Sequence, residues 1–201
     1  MKLKFLFNFV TLLFILFSNA QEKIEATIIK TDGIKLKGLV SSYQGNVASG
    51  QIIKIWVDGE KIKINRDDIS TLNTGSRSYS VITFDKISRR GNQIKTKRVR
   101  RLAEILIDGD INLYAIYYIR ANGYTNASGF FTSTGSYLET SHYVKDEANK
   151  IIRINKTSFK KTIKKVFPDC KKLLLQVKTK KIKYDEIVEA INKGNDCIKS
   201  N

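Results

Sequence analysis

The sequence predicts an α+β protein in which an antiparallel β-rich body is followed by a tail of two or three helices. Three observations lead to this prediction. In residues 21–155, short runs of alternating apolar and polar residues are separated by turn residues, as in half-buried strands. In residues 156–201, apolar residues recur every three or four positions, as on one face of a helix. Both cysteines of the chain lie in this second segment.

The N-terminus has the three parts of a cleavable secretory signal peptide. Lys2 and Lys4 give a positive start, residues 5–17 are almost wholly apolar, and Ser18 and Ala20 supply the small residues of a cleavage site. The alternative, a membrane-spanning helix, needs about 20 apolar residues, which is more than this stretch contains. We therefore expect residues 1–20 to be removed and the rest to be exported to the periplasm or the cell exterior, with no integral membrane span.

Turn signals divide the first β-rich part into short strands. Asp32-Gly33 and Asp58-Gly59 are dipeptides that tolerate the positive φ of tight turns. Short strands at this spacing predict a small bent sheet or barrel. Further along, residues 102–120 carry apolar side chains on both alternating faces, which predicts a central strand covered on both sides.

Helical spacing in residues 156–201 predicts the boundaries of the tail helices. The first is expected to end at Pro168, and Asp169 is expected to cap the second. The third is expected to begin near Asp185 and to end at Gly194, a residue type favoured just after a helix. The polar positions of the first two helices are rich in lysine. This basic amphipathic face either lies on an acidic membrane or is simply solvated.

The two cysteines, Cys170 and Cys197, are expected to form a disulfide, because an exported chain meets an oxidising compartment. From the length of the loop between them, the chain-entropy relation gives a stabilisation of the folded protein of about 3.5 kcal/mol. A metal pair and a nucleophilic cysteine are the alternatives. His142 is the one histidine of the chain, however, and no local pattern ties it to either cysteine. We therefore expect no metal site and no cofactor.

No catalytic set is visible in the sequence. Asp67 and Asp68 are adjacent, so on a strand they would point to opposite faces, and a turn or cap role is expected instead. His142 is expected on the surface and Trp56 in the core. The phosphate-binding glycine loop and the HExxH zinc motif do not occur in the sequence. We predict a protein that is not an enzyme; a hydrolase with an unrecognised site is the third interpretation, after the two binding functions given below.

Positive charge is the clearest functional indication. The formal net charge is +17, and residues 86–101 contain eight basic residues and no acidic one, in a pattern that predicts a hairpin. The candidate anion-binding residues are Arg89, Arg90, Lys95, Lys97, Arg98, Arg100 and Arg101. Such a field attracts acidic lipid headgroups, lipopolysaccharide phosphates, acidic polysaccharides or nucleic acid, and export makes nucleic acid the least expected of these. The alternative is that the lysines only reflect composition and are solvated.

A second candidate surface is an aromatic loop or hairpin that follows the alternating segment. Its candidate residues are Tyr118, Tyr124, Phe130, Phe131 and Tyr137. Exposed aromatic side chains beside small polar residues suit the binding of sugars or partner proteins. Aromatic side chains are equally favoured in strands for packing alone, and both interpretations stay open.

Several features of the chain occur together in a known group of proteins. They are Ala20-Gln21, the turns at Asp32-Gly33 and Asp58-Gly59, the segment IDGDINLY at residues 107–114, and a helical tail with a cysteine pair. With this layout the chain resembles uncharacterised secreted proteins common in Bacteroidota. The first β part is also similar to a small Sm-like or SH3-like barrel. The resemblance implies the layout given above and brings no activity with it.

From these observations we predict an exported, non-enzymatic envelope or surface protein that docks on an anionic partner through the basic hairpin and the tail. The alternative is an adaptor or adhesion-type module that recognises a protein or a glycan through the aromatic loop. Salt separates the two hypotheses, because electrostatic docking weakens as ionic strength rises.

Overall fold

The computed structural model describes residues 23–41, 52–90, 93–125, 128, 131–146 and 148–200. The predicted signal peptide lies outside these residues. The strands are β1 (Lys23–Lys30), β2 (Lys35–Ser41), β3 (Ile52–Val57), β4 (Glu60–Asn65), β5 (Ile69–Thr74), β6 (Arg77–Arg90), β7 (Gln93–Ile107), β8 (Asn112–Thr125), β9 (Phe131–Lys145) and β10 (Ile151–Ile154). The helices are α1 (Phe159–Val166), α2 (Lys171–Lys178) and α3 (Ile187–Ser200). The predicted α+β class, with a β-rich body and a helical tail, is confirmed.

All described strands belong to one antiparallel sheet of ten strands, in the order β10-β9-β8-β7-β6-β5-β1-β2-β3-β4. Two of the predicted turns connect the strands of hairpins in the first half of the sheet. Asp58 and Gly59 join β3 to β4 with φ of 50° and 85°, the left-handed pair that a two-residue hairpin requires. Gly33 has φ of 85° between β1 and β2. These turns lie where the sequence predicts them.

The first half of the sheet is curled. A 3₁₀ turn at Arg66–Asp68 connects β4 directly to β5, although β1, β2 and β3 lie between these two strands in the sheet. Four strand spacings would separate them by about 19 Å in a flat sheet. A 3₁₀ turn rises only about 2 Å per residue, so the sheet must bend to close the gap. Ile64 of β4 and Leu72 of β5 accordingly share one core with Ile28 of β1. The predicted bent, barrel-like first part is present.

The second half of the sheet curls in the opposite sense. β10 lies against β6, although three strands separate them in the sheet order. The core of this half contains Ile82, Tyr114 and Tyr143. Ile82 and Tyr79 are three residues apart on β6, so they point to opposite faces, and Tyr79 belongs to the core of the first half. The strand β6 is therefore where the buried face of the sheet changes sides.

The helical tail covers the other face of β8, β9 and β10. Leu113, Val144 and Ile154 on that face are buried against Ile163 and Ile191 of α1 and α3. The neighbouring side chains on β8 point into the second core instead. The prediction that the segment at residues 102–120 contains a strand covered on both sides is therefore confirmed for β8. None of the helices in the described part of the chain is both long and apolar enough to cross a membrane.

Two predicted helix boundaries are wrong. The helix α2 begins at Lys171 and its N-cap position is Cys170, so Asp169 does not cap it. The helix α3 continues through Gly194 to its end at Ser200. Gly194 is buried against the ring of Phe167, and a Cβ at this position would overlap that ring. This glycine is therefore required by close packing between elements, which local helix-ending preferences do not register.

The predicted disulfide is present between Cys170 and Cys197, whose Cα atoms are 6.0 Å apart. Cys170 directly precedes α2 and Cys197 lies in the last turns of α3. The bond therefore joins the second helix of the tail to the third, as the sequence predicts, beside the core that packs the tail on the sheet.

Candidate anion-binding site

The predicted basic hairpin is formed by β6 and β7. The two strands pair continuously from Tyr79 opposite Glu104 to Arg90 opposite Gln93. The strand β5 pairs with β6 only as far as Ser80, and β8 pairs with β7 only from Glu104 onward. Beyond these points β6 and β7 pair only with each other, and the hairpin runs as a two-stranded ribbon past the ends of their pairing with β5 and β8.

Strand alternation divides the predicted anion-binding residues between the two faces of this ribbon. Lys95, Lys97 and Arg101 share one face, whereas Arg98 and Arg100 share the other. The backbone of Arg89 and Arg90 continues β6 to the end of the hairpin, and their side chains lie outside the described part of the structure. The basic run is therefore a strip of positive charge around a ribbon, and it does not form a single flat patch.

The hairpin cations have little acidic compensation. Asp85 is the one acidic residue in residues 81–103, and it lies opposite Arg98 in the register. At the base of the hairpin, Arg77 pairs with Glu104 at 3.4 Å. Among the described residues, none of the ion pairs involves a lysine or arginine of residues 86–101. Arg100 donates to the carbonyl oxygen of Ile69 at 3.4 Å and Arg101 to that of Arg100 at 2.9 Å. Lys95 and Lys97 are exposed to solvent.

A pocket of about 300 Å³ lies where the second half of the sheet curls toward itself. Its aromatic wall consists of Phe84 of β6, Tyr118 of β8 and Tyr143 of β9. The rings of Phe84 and Tyr143 are 4.5 Å apart between centroids, and the hydroxyl oxygens of Tyr118 and Tyr143 are 3.5 Å apart. The curl of the sheet thus places an aromatic cluster beside the foot of the basic hairpin.

Three cations and one carboxylate line the same pocket. The cations are Lys86, Arg120 and Arg153, and the carboxylate is Asp85. Arg153 donates to the hydroxyl of Ser141 at 3.0 Å, which holds its guanidinium at the wall. The pocket therefore carries a positive excess, and its fixed guanidinium has the geometry that suits a phosphate, sulfate or carboxylate group.

Two other interactions set the chemistry of the pocket. Arg120 is bound to Glu139 at 2.6 Å and its guanidinium carbon lies 5.5 Å from the centroid of the Tyr118 ring. Burial, followed by the hydrogen bond with Tyr118, raises the pKa of Tyr143 well above its ordinary value. A tyrosine hydroxyl is protonated at neutral pH, and the raised pKa keeps that of Tyr143 protonated in more basic solution as well.

The predicted aromatic loop is a hairpin of β8 and β9. Tyr118 lines the pocket, and Tyr137 is exposed on β9 opposite Arg120. Tyr124 and Phe131 extend the two strands by their backbones, and their side chains lie outside the described part of the structure. Phe130 also lies outside the described residues. Of the five predicted aromatic residues, the structure therefore assigns Tyr118 to the pocket.

Sequence reasoning did not bring Phe84, Tyr143 and Arg153 together in one site. These three residues belong to β6, β9 and β10, and each has an ordinary place in an alternating strand. Only the curl that brings β10 against β6 unites them. The basic run that begins at Lys86 and the aromatic candidate Tyr118 are the sequence signals that reach this pocket.

Trp56 does not lie in the core, contrary to the prediction. Alternation along β3 buries Ile53 and Ile55, and it places Trp56 half-exposed on the outer surface of the first half. The ammonium nitrogen of Lys23 lies 4.3 Å from the ring centroid and that of Lys61 lies 5.5 Å from it. Trp56 thus makes cation–π contacts with two lysines of the same chain.

The remaining sequence candidates have structural roles. Asp67 and Asp68 lie in the 3₁₀ turn, where the backbone N–H of Asp67 donates to the side chain of Asn65 at 3.1 Å, and the predicted turn role is confirmed. His142 is half-buried, contrary to the predicted surface position, and its Nδ1 is 3.0 Å from the hydroxyl oxygen of Tyr184. Burial holds the pKa of His142 below its ordinary value of 6.5.

His142 should make the stability of the protein sensitive to acid. Because the folded pKa is lowered, the unfolded chain binds a proton at this residue more readily than the folded protein. Its contribution to stability is complete above pH 6.5 and is lost as the pH falls toward the folded pKa. We expect the melting temperature to decline between about pH 7.5 and pH 5.5, and His142→Gln to flatten that decline. An identical decline in the variant would contradict this assignment.

Comparison with known protein families, curated proteins and solved structures finds no match to this chain. Within the described residues, no group of three histidine, cysteine, aspartate or glutamate side chains is placed to hold a metal ion. The positive hairpin and the arginine–aromatic pocket at its foot form an arrangement that suits an anionic ligand.

Proposed function

We propose that the protein is an exported, non-enzymatic envelope or surface protein that docks on an anionic partner through the β6–β7 hairpin. One observation carries the proposal. The hairpin presents Lys95, Lys97 and Arg98 exposed to solvent beyond the neighbouring strands, and none of the ion pairs among the described residues joins these three to a carboxylate. The N-terminal secretory pattern supports export, and so does the Cys170–Cys197 disulfide, because disulfides persist in oxidising compartments.

The pocket at the foot of the hairpin supports a defined anion site within this surface. An anionic group seated in this pocket would meet the guanidinium of Arg153 and the protonated hydroxyl of Tyr143. Hydrogen bonds from charged donors are stronger than those between neutral groups. The exposed hairpin lysines would then attract the partner over a longer range, and the pocket would hold one of its anionic groups.

The hairpin lysines are tested by charge reversal, with dextran sulfate as a soluble polyanion. For the double variant Lys95→Glu/Lys97→Glu of residues 21–201, we expect the Kd at about 50 mM salt to rise about tenfold, which corresponds to about 1.4 kcal/mol. The matched control is Lys54→Glu/Lys63→Glu, which changes the net charge equally at an exposed cross-strand pair on β3 and β4. We expect the control to change the Kd less than about twofold.

The comparison of the two variants shows whether the polymer binds specifically at the hairpin or responds only to the total positive charge of the protein. An equal loss in both variants would mean that only the total charge matters, and the hairpin would have no special role. Binding of the unmodified protein should also weaken steeply between about 50 mM and 500 mM salt. Binding that does not change with salt would contradict electrostatic docking.

A second candidate function is supported by exposed apolar side chains on the β8–β9 hairpin. Ile119 and Leu138 lie opposite each other in the register and are both exposed, and Tyr137 is exposed on the other face of β9. Exposed apolar side chains paired in this way suit the adaptor or adhesion function, in which the protein recognises a protein or a glycan. Binding through this surface would persist at high salt, so the same salt series distinguishes the two functions.

A further inference from the structure

We infer that the groove between α1 and α2 docks on the surface of a lipid bilayer that contains anionic phospholipids. This inference rests on the proposed function, because it names a lipid surface as the anionic partner. It concerns a different part of the molecule from the β6–β7 hairpin, so the two can be tested separately.

The groove has a volume of about 450 Å³ and an apolar floor of Leu174, Leu175 and Val177. Leu175 is the most exposed of these, with 61% of its surface accessible. Leu173 and Val177 are four residues apart on α2, so they share one face of the helix, and this face packs in the tail core. Leu175 lies on the opposite side of the helix and has no place in that core.

Four lysines form the rim of this apolar floor, and they are Lys160, Lys164, Lys171 and Lys178. Lys160 donates to the backbone carbonyl oxygen of Lys178 at 3.3 Å, across the groove between the two helices. None of the ion pairs among the described residues involves any of the four. Their ammonium groups are therefore available to an external anion.

The charge of this segment is one-sided. Residues 156–183 contain eleven lysines and a single acidic residue, Asp169. The acidic residues of the tail lie instead in and just before α3, where Glu189 pairs with Lys193 at 2.7 Å. A positive face formed by α1 and α2 is complementary to the negative surface of an anionic membrane.

The combination of an apolar floor and a cationic rim favours a lipid surface over a soluble polyanion. A soluble polyanion contacts the lysines and gains nothing from exposed leucines. A bilayer surface offers phosphates to the lysines and an acyl boundary to Leu174 and Leu175, as for amphipathic helices that lie in the interface. The same combination recurs on the β6–β7 hairpin, where Ile87 and Ile94 share a face with Arg98 and are 65% and 62% exposed.

The experiment is co-sedimentation of residues 21–201 with vesicles of phosphatidylcholine alone or with about 30% phosphatidylglycerol. We expect binding to the anionic vesicles and not to the neutral ones. Leu175→Gln should lower the partition coefficient about fivefold without changing the charge. The matched control is Val188→Gln, which removes an exposed apolar side chain from α3, outside the groove, and should leave partitioning unchanged. Equal partitioning of Leu175→Gln and the unmodified protein would overturn the inference.

The rim is tested in the same assay with Lys164→Gln/Lys171→Gln against the equally charged control Lys54→Gln/Lys63→Gln. We expect only the rim variant to lose about fivefold or more in partitioning, since its lysines face the headgroups. Equal effects of the two variants would overturn the inference.

Dextran sulfate distinguishes failure of this inference from failure of the proposed function. Leu175→Gln should bind this polymer as the unmodified protein does, and a loss toward both polymer and vesicles would overturn the groove as a lipid site. Vesicle binding that depends on Lys95 and Lys97 but not on Leu175 would also overturn it, while the proposed function would stand. Vesicle binding that depends on Leu175 but not on Lys95 and Lys97 would support the groove. Docking through the hairpin would be contradicted if Lys95→Glu/Lys97→Glu also left binding of the polymer unchanged.

Discussion

Removing the Cys170–Cys197 disulfide should lower the free energy of unfolding by about 3.5 kcal/mol. The bond closes a loop that contains all of α2 and most of α3. Without it, the unfolded chain gains the conformational freedom that the closed loop denies it. The helix α2 has only eight residues, and a helix of that length is not stable by itself in water. Its packing therefore depends on the constraints that hold it against α3.

The measurement is thermal unfolding followed by circular dichroism. For Cys170→Ala/Cys197→Ala we expect the melting temperature to fall by about 10 °C, given the usual relation between free energy and melting temperature for a domain of this size. A reducing agent should lower the melting temperature of the unmodified protein by a similar amount and leave the double variant unchanged. A reductant that has no effect on the unmodified protein would contradict the stabilising role of the bond.

Replacing Asn195 with leucine should lower the free energy of unfolding by about 3 kcal/mol. Asn195 lies in α3 and is 5% exposed. Its side-chain oxygen accepts a hydrogen bond from the backbone N–H of Ile111 at 2.9 Å, and its amide nitrogen donates to the carbonyl oxygen of Ile111 at 3.0 Å. One side chain thus satisfies both backbone groups of a fully buried residue that directly precedes β8.

The cost arises because leucine is similar in size but cannot replace either hydrogen bond. A buried backbone group left unpaired costs about 1–3 kcal/mol, and Asn195→Leu leaves two of them. Gly109 leaves room for this contact, since a Cβ there would lie 2.7 Å from the amide nitrogen of Asn195. The hydrogen bonds therefore attach the tail to the turn between β7 and β8. The packing there is too close to admit a side chain at Gly109.

Chemical denaturation of Asn195→Leu and of Asn192→Leu provides the comparison. Asn192 is exposed on the same helix, so its replacement should change the free energy of unfolding by less than about 0.5 kcal/mol. Equal stabilities of the two variants would show that the hydrogen bonds to Ile111 contribute nothing to the attachment of the tail. Greater loss in Asn195→Leu alone would identify this residue as the polar link between tail and sheet.

The sequence by itself was sufficient for features that depend on neighbouring residues. The turn at Asp58-Gly59 was predictable because few residues adopt two consecutive positive φ angles, and both are positive here. The change from period two to period three or four marked the start of the tail, because strands and helices repeat differently along the chain. The basic hairpin was predictable because its charged residues are clustered in the sequence and its two strands follow each other along the chain.

Predictions that required a choice between faces were less successful. Alternation along β3 separates Trp56 from Ile53 and Ile55, but it does not say which side is inside, and Trp56 proved to be outside. Gly194 has the residue type of a helix end, yet the ring of Phe167 occupies the space that a side chain would need. In both cases an element distant in sequence decides the environment of the residue.

For the candidate sites, too, some features were predictable from the sequence and others depend on the tertiary structure. The sequence by itself determined the strands, the tail, the disulfide pair and the positive run of the hairpin, since each follows from local conformational preference, composition or charge. Only the tertiary structure decided that Phe84, Tyr118, Tyr143 and Arg153 share one pocket, and that Leu175 lies exposed among four lysines. The physical reason is that the direction in which a sheet curls, and the side on which helices pack, result from burying apolar surface between elements distant in sequence.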